Sequence, residues 1–259
     1  MKLRFTTALA MALVLVALAA AGCGGGSSSG GDEINVGGNF ELTGTVANLG
    51  KQTVNGINLA FKQTNEKGGV LGKKIKLIVA DNKSEASEST NAVTKLISQD
   101  KVVAVLGPVA SSSVIASLQV ATDNKVPVIT ATGTNERVTV GADGSTNPFG
   151  FRACFIDPFQ GTVMANFAAK SLKAKSAALY IDNSSDYAKG LAKSFEETFT
   201  KNGGTIAGSE AYLQKDQDFK ATLTKIKAMN PDVIFVPGYY EEVGRIIRQA
   251  RELGITAPI

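Results

Sequence analysis

The sequence has no histidine and no tryptophan, and its 259 residues include only two cysteines, Cys23 and Cys154. Without histidine there is no Ser-His-Asp or Cys-His catalytic grouping and no imidazole to hold a metal. Two cysteines this far apart form no metal-ligand pattern, so no metal and no cofactor is expected. Charge is scarce and nearly balanced: 27 Lys and Arg face 23 Asp and Glu, a net +4. Setting aside Lys2 and Arg4, which belong to a leader, leaves +2. That is too little to draw in a nucleic acid, and no basic cluster with interleaved aromatics occurs. The apolar run at 8–21 falls short of the roughly 20 residues that span a bilayer. What remains, 44% hydrophobic, is the composition of a folded, soluble body of one large or two medium domains.

Residues 1–23 read as a targeting segment. Lys2 and Arg4 give a positive start, 8–21 an apolar core, and 18–23 (LAAAGC) a small-residue stretch before a cysteine. This end resembles a bacterial lipobox, which implies that Cys23 is lipidated and becomes the new N-terminus. The pattern prefers Leu three positions before the cysteine; Ala20 stands there, with Leu18 displaced. Residues 24–31 (GGGSSSGG) have no capacity to fold, and 24–33 form a flexible tether. Several acyl chains on one cysteine would anchor stably where a single chain is marginal.

The rest is organised around residues 102–114, VVAVLGPVASSSV. The first five are apolar and β-branched, which predicts a strand buried on both faces of a parallel sheet. Gly107 and Pro108 break it. Ser111, Ser112 and Ser113 then open a helical spacing of Val114, Ile115, Leu118 and Ala121. A serine at a helix start accepts from first-turn amides, and the remaining amides carry partial positive charge. The stretch therefore predicts a small anion cradle at the carboxyl end of a strand, where open α/β sheets bind ligands.

Strand and helix alternate on either side. Strands are expected at 34–38, 75–80 and 126–130. Helices are expected at 48–67, with Val54, Ile57, Leu59, Ala60 and Phe61 inward, and at 85–100, with Ala92, Val93, Leu96 and Ile97 inward. A polar, Gly-rich stretch at 131–147 leads to a second set. Its strands fall at 176–181, 205–212 and 231–236, after an extended stretch at 149–152. Its helices fall at 159–172, 187–201, 219–229 and 241–253, the last with Val243, Ile246, Ile247 and Ala250 inward. The expected architecture is α/β with two lobes, 34–147 and 148–255. Each is a parallel sheet flanked by helices, with right-handed crossovers and a cleft between the lobes.

Strand ends facing that cleft carry Ser111 to Ser113 and Thr130, Thr132 and Thr134, whose hydroxyls and amides suit a carboxylate. Across from them Tyr187, Tyr239 and Tyr240 suit a lid over a small ligand. The full series is LTG at 42–44, NEKGGVLG at 65–72, GPVASSS at 107–113, ITATGT at 129–134, Phe151 and Arg152, Asp157, Gln160 and Gly161, Asp182 and Tyr187, PD at 231–232, GYYE at 238–241 and RQARELG at 248–254. In this order it resembles the branched-chain amino acid (Leu/Ile/Val-binding) family of ABC-transporter substrate-binding proteins, of the periplasmic-binding-protein type I fold. The resemblance covers 34–258. It implies a monomeric extracytoplasmic solute-binding protein, not an enzyme, tethered to the membrane by its lipid. Its lobes would close on an amino acid and present it to the membrane subunits of a permease.

Residue by residue, the resemblance places carboxylate contacts on Ser111, the backbone at Thr132, and Thr134, and ring contacts on Tyr187 and Tyr239. Ser112 and Asp157 complete the ligand-binding candidates. Asp157 and Glu241 are the only acids near enough to face a ligand ammonium, and neither matches the family's position for that role. The first-loop aromatic of the family falls near Leu49, and Asn82 to Ser84 and Ala110 offer no cysteine for the disulfide some members carry. Cys154 is then a lone thiol acting as apolar filler. Family members continue well past this point, so the C-terminal part is expected to be missing. Residues 256–259 would begin a crossover back to the first lobe, which would leave apolar surface exposed.

Three rival readings differ in class or ligand. One is a ligand-sensing receptor domain of the same fold, and another a binder of amides, urea or aromatic carboxylates. The third, a nucleotide-binding dehydrogenase, would use Asp81 on a ribose. However, GGNFELTG at 37–44 lacks the GxGxxG spacing that a pyrophosphate needs. The serine run is not a G-x-S-x-G elbow.

Overall fold

The computed structural model describes residues 33–259. The leader, Cys23 and the tether lie outside the described residues, except Glu33, which opens the first strand. No helix among the described residues is long and apolar enough to cross a membrane.

Five strands form the first sheet: β1 (Glu33–Phe40), β2 (Lys74–Asp81), β3 (Val105–Leu106), β4 (Val128–Thr130) and β5 (Gly150–Arg152). Their order is β2-β1-β3-β4-β5, and the β1–β3, β3–β4 and β4–β5 pairs are parallel. The stretch expected to open the second lobe at 148 is therefore the edge of the first sheet, where Phe151 is in register with Ile129. Helices α1 (Ala47–Glu66), α2 (Ala86–Ser98) and α3 (Ser111–Asp123) connect the strands.

One face of this sheet is packed as its periodicity predicts. Val93, Leu96 and Ile97 of α2 and Val114, Leu118 and Ala121 of α3 meet Val105 and Val128 in one buried cluster. Each large aliphatic side chain there gains roughly 1.5–3 kcal/mol over exposure. The other face departs from expectation. Helix α1 buries only Gly50. Of its expected inward residues, Val54, Ile57 and Phe61 are half-buried, Ala60 is exposed, and Leu59 is 58% exposed. The helix packs on β2 at the sheet edge. It touches the end of β1 at Gly50, where a Cβ would overlap the Glu41 carbonyl. The β4–β5 side stays bare, leaving Ile129 and Phe151 37% and 47% exposed. The strand expected at 102–106 is also shorter. Val103 sits in a bend and points outward, so burial on both faces fails at its start.

The second sheet holds β6 (Ser176–Asp182), β7 (Thr205–Tyr212) and β8 (Val233–Phe235) in the order β7-β6-β8, both pairs parallel. Around it lie α4 (Asp157–Asn166), which runs on into a π-helical turn at Phe167–Ser171, then α5 (Asp186–Lys201), α6 (Lys220–Ala228) and α7 (Tyr240–Glu252). Here both faces are covered. Ala178 and Tyr180 of β6 face Leu223, Ile226, Ile246 and Ala250 of α6 and α7. Ala177 and Leu179 face Ala165, Phe195 and Phe199 of α4 and α5. Alternate residues of one strand thus feed two cores, which is why 177–180 reads as an unbroken apolar run. On α7, Ile246 and Ala250 are inward as expected. Val243 is only half-buried and Ile247 exposed, while Glu242 and Gln249 are buried instead.

Candidate functional site

The chain passes from the first sheet to α4 through residues 153–156, and the carboxyl edges of both sheets border one cavity of about 650 Å³. That lies within the roughly 300–1,000 Å³ of small-ligand sites. Its walls include Leu49 and Thr53 from α1, Thr132 and Thr134 from the first lobe, and Tyr187 and Tyr239 from the second. Phe155 and Cys154 line it from the connecting segment.

The first-lobe wall is stiffened from within. Glu41, fully buried just after β1, accepts from the amides of Val109 and Ala110 at 3.0 and 3.1 Å. Burial pushes its carboxyl above the usual range, and those amide bonds hold it back in part. The anion cradle expected around Gly107 and Ser111 is thus already filled by the protein's own carboxylate. The serine cap expected at α3 is also absent: the cap position is Ala110, which makes no side-chain bond. Ser111, one residue inside the helix, accepts instead from the Asn135 amide at 3.2 Å, and Ser112 from the Asp186 amide at 2.9 Å.

The loop after β4 is held in the same way. Thr130 Oγ1 donates to the Pro108 carbonyl at 2.7 Å and accepts from the amides of Thr132 and Gly133 at 3.2 and 2.9 Å. The Thr132 hydroxyl donates to the Val109 carbonyl at 2.9 Å. Arg152 pins the next stretch, donating to the carbonyls of Gly133 and Asn135 at 3.1 and 2.6 Å and to Thr139 Oγ1 at 2.6 Å. One group is left over. Thr134 Oγ1 is buried at the cavity wall and has no hydrogen-bond partner among the described residues.

Asp157 opens α4 behind this wall. Its amide donates to the Thr134 carbonyl at 3.0 Å. Both its carboxylate oxygens are buried without a hydrogen-bond partner among the described residues. Burial pushes its pKa up to about 6, tempered by the nearby Thr134 hydroxyl, Asn135 amide and Arg152 guanidinium, none of which reaches full hydrogen-bond geometry.

In the second lobe, Tyr187 and Tyr239 lie with ring centroids 5.5 Å apart, and Gln160 Nε2 donates to the Tyr187 hydroxyl at 3.1 Å. Burial raises the pKa of both phenols, so both are neutral donors at physiological pH. Gly238 also lines the cavity; a Cβ there would overlap the Tyr212 hydroxyl and come within 3.2 Å of Val243 Cγ2.

Of the seven residues expected at the ligand, Thr132, Thr134, Tyr187 and Tyr239 line the cavity, while Ser111, Ser112 and Asp157 stand behind its walls. Sequence reasoning missed Gln52, Thr53, Phe155 and Gln160 in the lining, and Glu41 and Arg152 beneath it. Leu49 lies in the lining, and so does Cys154, the expected filler. Burial raises the Cys154 thiol, with Asp157 adding and Arg152 opposing, so it stays protonated at neutral pH. Asp81, the ribose ligand of the dehydrogenase reading, is engaged by its own loops. It accepts from the amides of Leu42, Thr43 and Lys83 and from the Thr43 hydroxyl. Among the described residues no cluster of three His, Cys, Asp or Glu could hold a metal.

A family model described as periplasmic binding protein matches residues 33–259. The Leu/Ile/Val-binding protein BraC3 of Rhizobium johnstonii is 36% identical over 227 residues, covering 88% of this chain and 60% of that protein. The branched-chain amino acid transporter substrate binding protein LivJ of Streptococcus pneumoniae, solved in complex with isoleucine, is 42% identical with a TM-score of 0.79. That match covers 88% of this chain and 63% of the other. A solute binding protein of Rhodopseudomonas palustris BisB5, solved with 3,4-dihydroxy benzoic acid, is 28% identical with a TM-score of 0.75 over 86% of this chain and 59% of the other. The chain spans about 60% of the length of the curated relatives it matches.

Proposed function

The chain belongs to the periplasmic binding protein family, and we propose that it binds a branched-chain amino acid between its lobes and delivers it to the membrane subunits of an ABC importer. The observation that carries this reading is the Thr134 hydroxyl, unpartnered among the described residues, on the wall of a cavity whose far side is two tyrosine rings in tilted contact. An unsatisfied buried donor costs roughly 1–3 kcal/mol, and a ligand carboxylate accepting from it removes that cost. Thr132 and Thr134 then hold the carboxylate, Tyr187 and Tyr239 cover the ligand, and Leu49 and Phe155 face its aliphatic part. Ser111, Ser112 and Asp157 support these groups from behind. LivJ, 42% identical, was solved with isoleucine, which supports the choice of ligand class. The leader ending at Cys23 would place the protein outside the cytoplasm on a lipid anchor, and incorporation of labelled palmitate that Cys23→Ser abolishes tests this.

One observation favours a second ligand class, a monocarboxylate without an ammonium group. None of the residues lining the cavity is Asp or Glu, and the relative from R. palustris BisB5 was solved with an aromatic acid. Titration calorimetry with isoleucine and with its deaminated analogue, 3-methylpentanoic acid, separates the two. Isoleucine binding at least tenfold tighter supports the amino acid reading. Equal or reversed affinities support the monocarboxylate reading, and no heat from either rejects both.

A further inference from the structure

Two loops of the second lobe reach the first lobe, each at the start of a helix. At the first residue of α5, Asp186 meets three first-lobe residues. Its amide donates to Ser112 Oγ at 2.9 Å, its carbonyl accepts from Asn135 Nδ2 at 2.8 Å, and its carboxylate lies 3.6 Å from the Arg137 guanidinium. Between β7 and α6, Lys215 Nζ pairs with Glu85, the residue that precedes α2. None of these six residues lines the cavity.

The geometry around each loop fits this contact. Lys215 holds a left-handed backbone, φ +74, as four other lysines of the described residues also do. Glu242, buried at the start of α7, holds that backbone from behind, its Oε1 accepting the Lys215 amide at 3.0 Å. At the other loop, Gly190 of α5 faces the first lobe. A Cβ there would overlap Asp157 and stand 2.7 Å from Asn135 Nδ2, so α5 approaches only because no side chain intervenes. Asp186 directly precedes Tyr187, the ring that walls the cavity.

We propose that lobe closure is held by two clasps outside the cavity, Lys215–Glu85 and Asp186 with Ser112, Asn135 and Arg137, and that Asp186 is the positioning residue that sets Tyr187 into the cavity wall. The clasps bias the closed arrangement before any ligand arrives. Ligand affinity is then raised by whatever fraction of molecules is already closed. The ligand arm of the test rests on the function proposed above; the distance arm does not.

The test places spin labels on cysteines substituted for the exposed Lys62 and Lys201, one in each lobe. The full chain carries Cys23→Ser and Cys154→Ser so that no other thiol reacts. Pulsed dipolar spectroscopy without ligand reads the distribution between closed and open distances. Lys215→Glu sets like charges against Glu85. It should move the closed-to-open ratio about two- to fivefold toward open, the effect of one exposed ion pair. Adding Glu85→Lys should restore the ratio, which a purely structural lesion would not allow. Ser112→Ala should shift it in the same direction and combine additively with Lys215→Glu. Isoleucine affinity should fall in proportion to the closed fraction read from those distances. If isoleucine does not bind at all, the ligand assignment fails while the distances still decide the clasp. Unchanged distances in both Lys215→Glu and Ser112→Ala, or a charge swap that restores nothing, overturn the proposal.

Discussion

Replacing Thr134 by valine should stabilise the protein while weakening its ligand. The hydroxyl is buried and lacks a partner within the fold. Such a group costs roughly 1–3 kcal/mol, and valine removes it while keeping the branched shape. The hydroxyl oxygen is sealed from solvent, but it stands near the Asp157 carboxyl, which relieves part of that cost, and a gain of about 1 kcal/mol is the expected size. For a chain of this length that is a rise of roughly 2–4 °C in Tm. Binding should move the other way. A hydrogen bond to a carboxylate contributes roughly 1.5–3 kcal/mol, so losing it raises Kd by roughly 10- to 150-fold. Urea unfolding gives the first quantity and calorimetry with isoleucine the second. Thr134→Ser, which keeps the hydroxyl, should keep the affinity within a few-fold. A valine variant that is destabilised by more than 1 kcal/mol and binds normally would refute the reasoning. It would mean that the hydroxyl serves the fold and not the ligand.

Asp157→Asn tests a buried charge. Its folded pKa of about 6 lies above the ordinary 3.8, so between those values the folded state binds more protons than the unfolded state. Stability should therefore fall as pH rises from about 4 to 6. Asn should remove that slope and gain about 2 kcal/mol above pH 6, allowing for solvent screening, with nothing gained below pH 4; pH-resolved urea melts check this. Glu41→Ala strands the Val109 and Ala110 amides and should destabilise by roughly 2–4 kcal/mol, whereas Glu41→Gln, keeping one acceptor, should lose about half of that. Hydrogen exchange at those two amides is the local readout. Gly238→Ala drives a methyl toward the Tyr212 hydroxyl and should lower stability by roughly 1–3 kcal/mol. It should also displace Tyr239, which a changed isoleucine affinity would report.

Much of the fold was legible because periodicity and chain punctuation agreed. The spacing of Ala92, Val93, Leu96 and Ile97 predicted a buried helix face, and all four are buried. The strand expected at 176–181 forms as β6, and the structure covers its apolar run at 177–180 on both faces. Helix α1 shows the limit. Its amphipathic pattern is genuine, but a pattern says which face is apolar and not whether anything lies against it. Leu59 and the bare Ile129 and Phe151 are the result. At the site, four of seven residues were placed on the cavity because strand ends in such sheets point there. Ser111 and Ser112 stand behind the wall because sequence cannot say whether a hydroxyl's partner is inside the protein, and Asp157 because it opens α4 behind the Thr134 loop. Ser111 and Ser112 are taken by the amides of Asn135 and Asp186, 24 and 74 residues away. Glu41 was invisible for the same reason, since its partners lie 68 and 69 residues on.

The fate of those hydroxyls bears on what the cavity selects. Along the first-lobe edge, Thr130, Thr132, Ser111 and Ser112 all bond within the protein, so only Thr134 is left to change partner when a ligand arrives. A floor fixed in this way discriminates by position, because a carboxylate even 1 Å out of place finds no hydroxyl on this edge that can follow it. Charge adds a second filter. The lining supplied by the described residues contains no Lys, Arg, Asp or Glu, and the buried Glu41 acts on Tyr239 from beneath the floor. A second negative charge on the ligand, held within about 8 Å of Glu41, would be repelled by roughly 2 kcal/mol at an effective dielectric of about 20. A second positive charge would find no partner in the lining and would lose its hydration. Ligands with one carboxylate and an uncharged side chain avoid both costs, so the walls built by this chain favour an apolar side chain over an acidic or basic one before any specific contact with that side chain is counted.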